Sequence, residues 1–217
     1  MSYPNTLFLP RSKESLRIQR KYDLISRLYD LAQFPLEAIL FTPWRRMLFS
    51  RIEGKRVLEI GVGTGKNFKF YPTGSSERFG IDLSQSMLAR AKAKARKYGV
   101  KTNLLVMDLE KLGFSDDFFD EVTGTFIFCT VANPVSCLRE IRRVLKPRGK
   151  LYLLEHMRPD GEMLGKFFDW INPLGRLFGP NLNRRTIENL TKAGFRIEKV
   201  QNLLSSIYRY VIARPLK

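Results

Sequence analysis

The chain has 217 residues, 44% of them hydrophobic, which is enough for one substantial α/β domain with a folded core. No run approaches the roughly 18–20 apolar residues of a membrane-spanning helix, and no apolar signal core opens the chain, so we expect a cytoplasmic protein. The formal net charge of +17 predicts an anionic partner, either nucleic acid or a membrane surface. A solvated basic surface, as in some thermophile proteins, would give the same charge.

The two cysteines, Cys129 and Cys137, are too few for a disulfide framework. We expect them to be buried free thiols. The sequence has no CxxC motif and no Cys/His cluster, so we expect no metal site.

The N-terminal region predicts a basic amphipathic helix that follows an arm over residues 1–10. Apolar side chains recur at helical spacing: Ile18, Tyr22, Ile25 and Tyr29. Basic residues lie opposite, as in helices at a membrane interface. An ordinary helix packed on the domain fits equally well, and one helix could close a ligand site and also touch lipid.

Phe34 and Pro35 end this helix, and a second helical stretch over residues 36–49 is interrupted at Pro43. Trp44 followed by two arginines suits a lipid headgroup boundary, although a packed hydrophobic face explains this tryptophan equally well.

A buried strand over residues 57–60 then runs into a glycine turn formed by Gly61, Gly63 and Gly65. The G-x-G-x-G spacing, preceded by Glu59, differs from the dinucleotide fingerprint, and the Lys-Ser/Thr pair of a P-loop is absent. Because these glycines lack Cβ atoms, a ligand can lie directly against the backbone where a helix begins.

The next two strands each lead to an acid. Asp82 ends a strand about 20 residues beyond the glycine turn, where a carboxylate can accept two hydrogen bonds from a ribose diol. Ser84 is placed to cap the helix that follows. Asp108 follows the third strand and could accept from an adenine amino group or merely cap a loop.

The C-terminal half continues the α/β alternation with one interruption. The fourth strand reaches Thr125 and Phe126, whose end should lie beside the glycine turn, and the fifth ends at His156. Residues 157–183 form an aromatic flap, which could be a lid over an apolar substrate or a membrane contact. The last two strands should pair as a hairpin.

Together, the glycine turn, the acids after the second and third strands, and the Leu-Lys-Pro-Arg-Gly turn over residues 145–149 resemble the class I S-adenosylmethionine (SAM) methyltransferases. The resemblance implies a Rossmann-like α/β fold with helices on both faces of a seven-stranded, mostly parallel sheet whose last strand is antiparallel. It also implies SAM as cofactor, with S-adenosylhomocysteine as product. The implied cofactor contacts are Glu59, Gly61, Gly63, Gly65, Asp82, Leu83, Asp108, Leu109, Thr125 and Phe126.

The flanking segments are similar to bacterial phosphatidylethanolamine N-methyltransferases and to ubiquinone/menaquinone C-methyltransferases, through Tyr22-Asp23, Tyr29-Asp30 and the residues around His156. The leading expectation is N-methylation of phosphatidylethanolamine toward phosphatidylcholine at the inner face of an anionic membrane, without nucleic acid. Alternatives are C-methylation of a quinone precursor, S-methylation of an apolar thiol and, more distantly, RNA methylation. A lipid-binding protein without enzymatic activity is a further class.

In this interpretation, residues 1–50 form a membrane-contacting helical cap and residues 51–217 the SAM-binding domain. His156 is expected to act as base or substrate orienter, or to hold a structural hydrogen bond. Tyr22 and Tyr29 are expected to stack on the sulfonium or on an ammonium group, unless they are plain helix-face residues. Arg184 and Arg185 are expected to hold a lipid phosphate, or to begin a solvated helix.

Overall fold

The computed structural model describes residues 12–32, 37–74, 76–178 and 180–217. Its centre is a seven-stranded sheet in the order β3-β2-β1-β4-β5-β7-β6. The strands are β1 (Arg56–Ile60), β2 (Glu77–Asp82), β3 (Asn103–Val106), β4 (Phe119–Thr125), β5 (Leu145–His156), β6 (Phe195–Leu204) and β7 (Tyr208–Pro215). Strands β1 to β5 run parallel, whereas β7 runs antiparallel to both β5 and β6. The predicted sheet is therefore confirmed, including its final hairpin.

Six α-helices accompany the described strands: α1 (Lys13–Ala32), α2 (Thr42–Phe49), α3 (Gln85–Tyr98), α4 (Pro134–Val144), α5 (Glu162–Phe178) and α6 (Thr186–Lys192). A single π-helical turn, Glu37–Phe41, leads directly into α2. No helix in these described ranges is long and apolar enough to cross a membrane.

Side-chain alternation along the central strands sends apolar residues to both faces of the sheet. Leu58 and Ile60 join the larger core cluster, which α4 and α6 complete, whereas Val57 joins a second cluster with Leu48 and Phe49 around α2. A parallel sheet needs such cover on both faces because its strands are apolar on both sides. The predicted helices on both faces are therefore confirmed.

The helix that follows β2 begins where the sequence predicts. Ser84 caps α3, since its Oγ accepts a hydrogen bond of 3.1 Å from the backbone N–H of Met87. The helix ends at Gly99, which adopts a left-handed conformation with φ +65°. These two caps fix where α3 starts beside the end of β2.

Three local features refine the expectations from the sequence. The second helical stretch is divided next to Pro43, as predicted: the π-helical turn ends at Phe41, and Pro43 stands in the first turn of α2, where a helix does not use the N–H that proline lacks. Residues 145–150 belong to β5, with a bulge that shifts its register against β4, rather than to a free turn. Most of the aromatic flap is the helix α5, which tolerates an internal proline at position 173. The predicted arm and the break at Phe34-Pro35 lie outside the described residues.

Candidate functional site

The glycine turn after β1 is the floor of the site. Gly61, Gly63 and Gly65 all have positive φ, at 62°, 56° and 77°. A left-handed backbone is strained for other residues, so each position favours glycine. The three glycines nevertheless face different surroundings.

Only Gly63 faces open space. A Cβ placed on Gly63 would meet no atom within 4 Å, and the residue lines a cavity. A Cβ on Gly61 would lie 2.5 Å from Cδ1 of Ile127, and one on Gly65 would lie 2.6 Å from the ring of Phe68. Gly61 also lines the cavity, whereas Gly65 is absent from its lining and serves close packing. Gly63 is therefore where a ligand can lie against bare backbone.

Asp82 joins the end of β2 to this turn. Its Oδ2 accepts a 2.8 Å hydrogen bond from the N–H of Gly63, and its Oδ1 accepts a 2.9 Å bond from the N–H of Ser84. Burial raises the pKa of this carboxyl to about 6, and repulsion from Asp23 adds to the shift. The backbone N–H of Leu83 also bonds to this carboxylate, so of its roughly four acceptor positions one stays available for a ribose hydroxyl in the cavity.

The third strand contributes a second acid to the same cavity. Asp108 is buried and accepts a 3.0 Å hydrogen bond from the N–H of Glu110. Leu83 and Leu109 follow the two acids and also line the cavity, beside Ile81 and Met107. An acid flanked by apolar side chains suits a flat base that carries an amino group.

The end of β4 forms the opposite wall through Thr125 and Phe126. Phe126 has φ +57°, an uncommon conformation for a bulky residue, and such strain clusters at functional sites. Glu155 holds the following loop by accepting hydrogen bonds from Ile127 N (2.9 Å) and Phe128 N (3.2 Å). Burial raises the pKa of Glu155 to about 8, although these bonds oppose that shift.

The cavity between these elements has a volume of about 110 Å³ and opens to solvent. Helix α1 supplies its remaining wall through Ser15, Ile18, Gln19 and Tyr22. The N-terminal helix therefore covers the site that the sheet builds.

Two acids fasten α1 to the domain. The Asp23 carboxylate accepts hydrogen bonds from Ser84 Oγ (2.5 Å) and Ser86 N (3.2 Å), at the start of α3. Asp30 accepts from Thr64 Oγ1 (2.6 Å) and from Lys94 Nζ (2.6 Å). Lys94 lowers the pKa of Asp30 against the opposing effect of burial, so this acid is charged at neutral pH.

Glu59 lies behind the turn rather than on the cavity. It shares a sheet face with Val57, so its side chain points toward α2, where it accepts hydrogen bonds from Asn67 Nδ2 (2.6 Å) and the Tyr71 hydroxyl. Complete burial raises the pKa of Glu59 to about 7. The geometry gives Glu59 a role in supporting the turn, and direct contact with a cofactor stays a prediction.

Arg45 is the hub of the buried polar network on this face. Only 4% of its surface is exposed. Its guanidinium donates to both carboxylate oxygens of Glu37 (2.8 and 3.2 Å), to Asn67 Oδ1 (2.8 Å) and to Thr125 Oγ1 (2.8 Å). It also lies 5.2 Å from the ring centroid of Phe126. The headgroup-facing interpretation of this arginine is therefore wrong, because its fork is turned inward and fully used.

His156 is surrounded by aromatic rings at the end of β5. The centroid of its ring lies 5.3 Å from Tyr208 and 5.9 Å from Phe168 of α5. Burial lowers its pKa, and its buried Nδ1 has no hydrogen-bond partner. The imidazole is therefore neutral at pH 7. It does not line the cavity, and two rings, Tyr208 and Phe126, connect it to the cavity wall, with 6.0 Å between their centroids.

The rings around His156 form one group, which we call the aromatic cluster: Phe41, Trp44, Phe126, Phe168 and Tyr208. Trp44 packs in this cluster, 5.4 Å from Tyr208, rather than at a headgroup boundary.

Of the remaining predicted site residues whose side chains the structure describes, Tyr22 lines the cavity, whereas Arg184 and Arg185 do not. Arg184 donates a 2.6 Å hydrogen bond to the carbonyl of Val131, which lines the cavity, so it supports that loop. Arg185 is exposed and pairs with Glu188 in the first turn of α6, as expected of a solvated helix start. Tyr22 lines the cavity, whereas the side chain of Tyr29 lies outside the described residues.

Sequence reasoning missed four residues that organise the site: Asp23, Arg45, Asn67 and Glu155. Asp23 and Glu155 had local signals, since they lie beside Tyr22 and His156 in the segments that carry the resemblance. Arg45 and Asn67 bond to Thr125, which is 80 and 58 residues away in sequence, so no spacing pattern reveals those contacts.

Comparison with known proteins supports this geometry. The family described as "Methyltransferase domain" matches residues 58–153. A ubiquinone/menaquinone biosynthesis C-methyltransferase, UbiE, from Azotobacter vinelandii is 32% identical over 169 residues, which are 74% of this chain and 67% of that protein. The chain thus spans about two thirds of the length of this relative.

Solved structures share the fold at lower identity. The cyclase SpnF superposes with a TM-score of 0.75 at 20% identity, covering 97% of this chain and all of that one. A geranyl diphosphate C-methyltransferase from Streptomyces coelicolor, in complex with S-adenosyl-L-homocysteine, superposes with a TM-score of 0.72 at 12% identity, covering 95% of this chain and 99% of that one. These likenesses extend over nearly the whole sheet and its helices.

The three glycines should respond differently to substitution. Gly63→Ala adds a methyl group to the open face of the turn, so we expect SAM affinity to fall at least about tenfold, with about 1–2 kcal/mol of strain from the positive φ. Gly65→Ala drives its Cβ into Phe68, so we expect a loss of about 2–4 kcal/mol in unfolding free energy. Calorimetry and urea unfolding measure the two effects. Undiminished SAM binding by Gly63→Ala would refute the proposed floor.

Asp82 should make cofactor binding depend on pH. Ribose hydroxyls need the ionised carboxylate, so SAM affinity should be constant well above pH 6 and weaken by up to about tenfold per pH unit below it. Asp82→Asn should weaken binding by about 1.5–3 kcal/mol and remove this dependence. Calorimetry between pH 5 and 8 (about the stable range of most proteins) measures both. Asp116→Asn, which alters an exposed acid, is the control.

Arg45 should dominate the stability of the N-terminal segment. Arg45→Met removes a buried donor from Glu37, Asn67 and Thr125 at once, so we expect the unfolding free energy to fall by about 3–5 kcal/mol. Arg46→Met changes the adjacent, exposed arginine and should alter it by less than about 0.5 kcal/mol. Equal losses in urea unfolding would show that the network contributes nothing beyond surface charge.

Proposed function

The chain belongs to the class I SAM-dependent methyltransferases and is related to the UbiE C-methyltransferases, and from this we propose that it C-methylates a quinone precursor. The proposal rests on the name of its relatives and on the aromatic cluster that continues the cofactor cavity at Phe126. That continuity is the observation that carries it, because a flat apolar acceptor bound among these rings would lie next to the cofactor.

The residues present fit the cofactor. Gly63 leaves a cradle that a Cβ would fill, and Asp82 and Asp108 line the cavity with acceptors for a ribose and an amino group. When bound, SAM supplies a methyl group on a sulfonium that is already a good leaving group. The protein therefore has to align the acceptor and exclude water.

The aromatic cluster suits a planar acceptor. Rings of comparable size stack or meet edge to face, and Tyr208 and Phe126 already meet at 90°. The described residues in ring contact with His156 carry no carboxylate, so they offer an ammonium group no ion pair. A neutral quinol ring loses less on entering such surroundings than a charged amine does.

His156 is the group we propose to receive the proton. C-methylation forms one carbon–carbon bond, breaks the sulfonium–methyl bond and releases one ring proton. Because burial lowers its pKa and Nδ1 has no partner, the imidazole can accept that proton at neutral pH. Because His156 lies outside the cavity, the acceptor has to pass Phe126 and take the place of the Tyr208 ring against the imidazole.

A phospholipid amine is the second candidate acceptor. Aromatic rings attract quaternary ammonium groups by cation–π interaction, and the net charge of +17 favours an anionic membrane as partner. In either case the acceptor has an apolar tail, so we propose that the protein works while bound peripherally to the inner face of a membrane.

An acceptor assay separates these proposals. Purified protein is given SAM with a labelled methyl group and vesicles that contain either an unmethylated prenyl naphthoquinol or phosphatidylethanolamine. We expect label on the ring carbon of the quinol, identified after chromatography. Label in phosphatidylethanolamine alone would replace the first candidate by the second, and label on an added alkyl thiol alone would overturn both.

His156→Phe is the matched variant for the proton acceptor, because it keeps a ring against Phe168 and Tyr208. We expect kcat to fall by about 100-fold, with SAM affinity unchanged. If His156 only packs, kcat and its pH profile should stay as in the unaltered protein.

A further inference from the structure

Helix α5 turns its apolar side away from the protein. Met163, Phe167, Trp170 and Leu174 are 87%, 50%, 77% and 61% exposed. Their spacing of four, three and four residues puts them on one side of the helix, which we call the apolar face. A helix of a soluble domain normally buries this side, so the arrangement needs an explanation.

The inner side of α5 is held by polar groups instead. Asp169 accepts hydrogen bonds from Arg158 (2.9 Å to Nη2) and Asn183 (3.0 Å), and Asn172 accepts from the N–H of Leu182 (2.7 Å). These bonds fix which side of the helix faces inward. The orientation of the apolar face is therefore specified by the fold.

Two glycines bring the helix close to the domain on this inner side. A Cβ on Gly165 would lie 2.3 Å from Nη1 of Arg158, and one on Gly175 would lie 2.6 Å from Cγ of Leu182. A larger residue at Gly175 would meet the carbonyl oxygen of Pro180 at 2.9 Å and push α5 outward, whereas one at Gly165 would displace the Arg158 guanidinium that binds Asp169. The close approach at the two glycines and the polar contacts thus fix the same side of α5 against the domain, and the apolar face is on the other side.

We propose that the apolar face of α5 inserts into the surface of an anionic lipid bilayer. The net charge of +17 is complementary to such a surface and opposes the docking of a second copy of the chain on the same face. Trp170 is of the type enriched at membrane interfaces, and Lys166 is exposed on the same helix. A helix with these residues lies in the interface plane rather than spanning the bilayer.

The same helix leads to the site. Phe168, between two residues of the apolar face, contacts His156, which contacts Tyr208, which in turn contacts Phe126 on the cavity wall. A continuous series of rings thus connects the proposed membrane surface with the cofactor cavity. This inference rests on the proposed function in one respect: the methyl acceptor is a molecule that comes from the bilayer.

Trp170 allows a direct test. The chain has two tryptophans, so Trp44→Phe leaves Trp170 as the only emitter. With vesicles of phosphatidylglycerol and phosphatidylethanolamine we expect its emission to shift to the blue and to be quenched by brominated acyl chains. Vesicles of phosphatidylcholine alone should give a weaker response, because the anionic charge is missing. An unchanged emission maximum with anionic vesicles overturns the proposal.

Binding is then measured by sedimentation with the same vesicles. The double variant Phe167→Ser/Leu174→Ser should weaken partitioning at least about tenfold. Tyr98→Ser removes an exposed ring at the end of α3, on the opposite edge of the sheet, and should bind as the unaltered protein does. Equal binding by the double variant, or self-association through α5 in place of vesicle binding, would overturn the proposal.

A soluble acceptor keeps this inference separate from the proposed function. The double variant should methylate a short-chain quinol in solution at the rate of the unaltered protein and lose turnover only on vesicles. If vesicles bind through α5 but no quinol is methylated, the docking surface stands and the proposed acceptor fails. If the quinol is methylated while vesicles do not bind, the proposed acceptor stands and the docking surface fails.

Discussion

The hydrogen bond from Gly63 to Asp82 is the joint on which the site depends. It ties the turn after β1 to the end of β2, and it holds a carboxylate where burial raises its pKa to about 6. Burying that charge opposes stability, and a nearby acid, Asp23, adds to the cost. The burial of the Asp82 charge and its repulsion by Asp23 bring no benefit to a protein that binds no ligand. Both are understandable when the carboxylate must present a free acceptor position to a ligand that lies on Gly63.

The N-terminal segment is bonded into the same site from two sides. Asp23 and Asp30 fasten α1 over the front of the cavity, whereas Arg45 enters from behind and holds Thr125 of the cavity wall. Hydrogen bonds therefore cross the predicted boundary near residue 50 and join the N-terminal segment to the rest of the chain. A change in the segment before β1 reaches the cofactor cavity through one buried guanidinium, with no intervening flexible contact.

The parts predictable from sequence are those that depend on local spacing. Short motifs reveal the glycine turn after a buried strand and the acids at the ends of the next two strands. A parallel sheet then brings these residues to one edge. It is harder to predict from the sequence which face of a strand or helix a side chain points to. Glu59 is adjacent in sequence to the site but points to the α2 face, and Arg45 sits beside the exposed Arg46 with nothing in the sequence to separate them.

The aromatic flap shows the same limit, because its sequence does not reveal which side of helix α5 is exposed. Its glycines and its proline at position 173 lower helix propensity, and its apolar residues suggest a buried side. The fold instead uses the glycines for close contact with Arg158 and Leu182, and turns the apolar residues outward. Periodicity gives the apolar face of a helix, but it does not say whether protein or lipid covers that face.

The same difference explains why the cofactor can be identified more firmly than the acceptor. Cofactor contacts come from backbone and short acids at fixed positions on consecutive strands. The aromatic cluster instead draws Phe41 from the π-helical turn, Phe168 from α5 and Tyr208 from β7, which meet only in the folded chain. Aromatic rings specify an acceptor by shape and by the absence of charge, so quinols and lipid amines differ there mainly in the cost of desolvating an ammonium group. Before the reaction His156, whose pKa burial lowers, is uncharged in those surroundings, and a neutral acceptor brings no charge next to it.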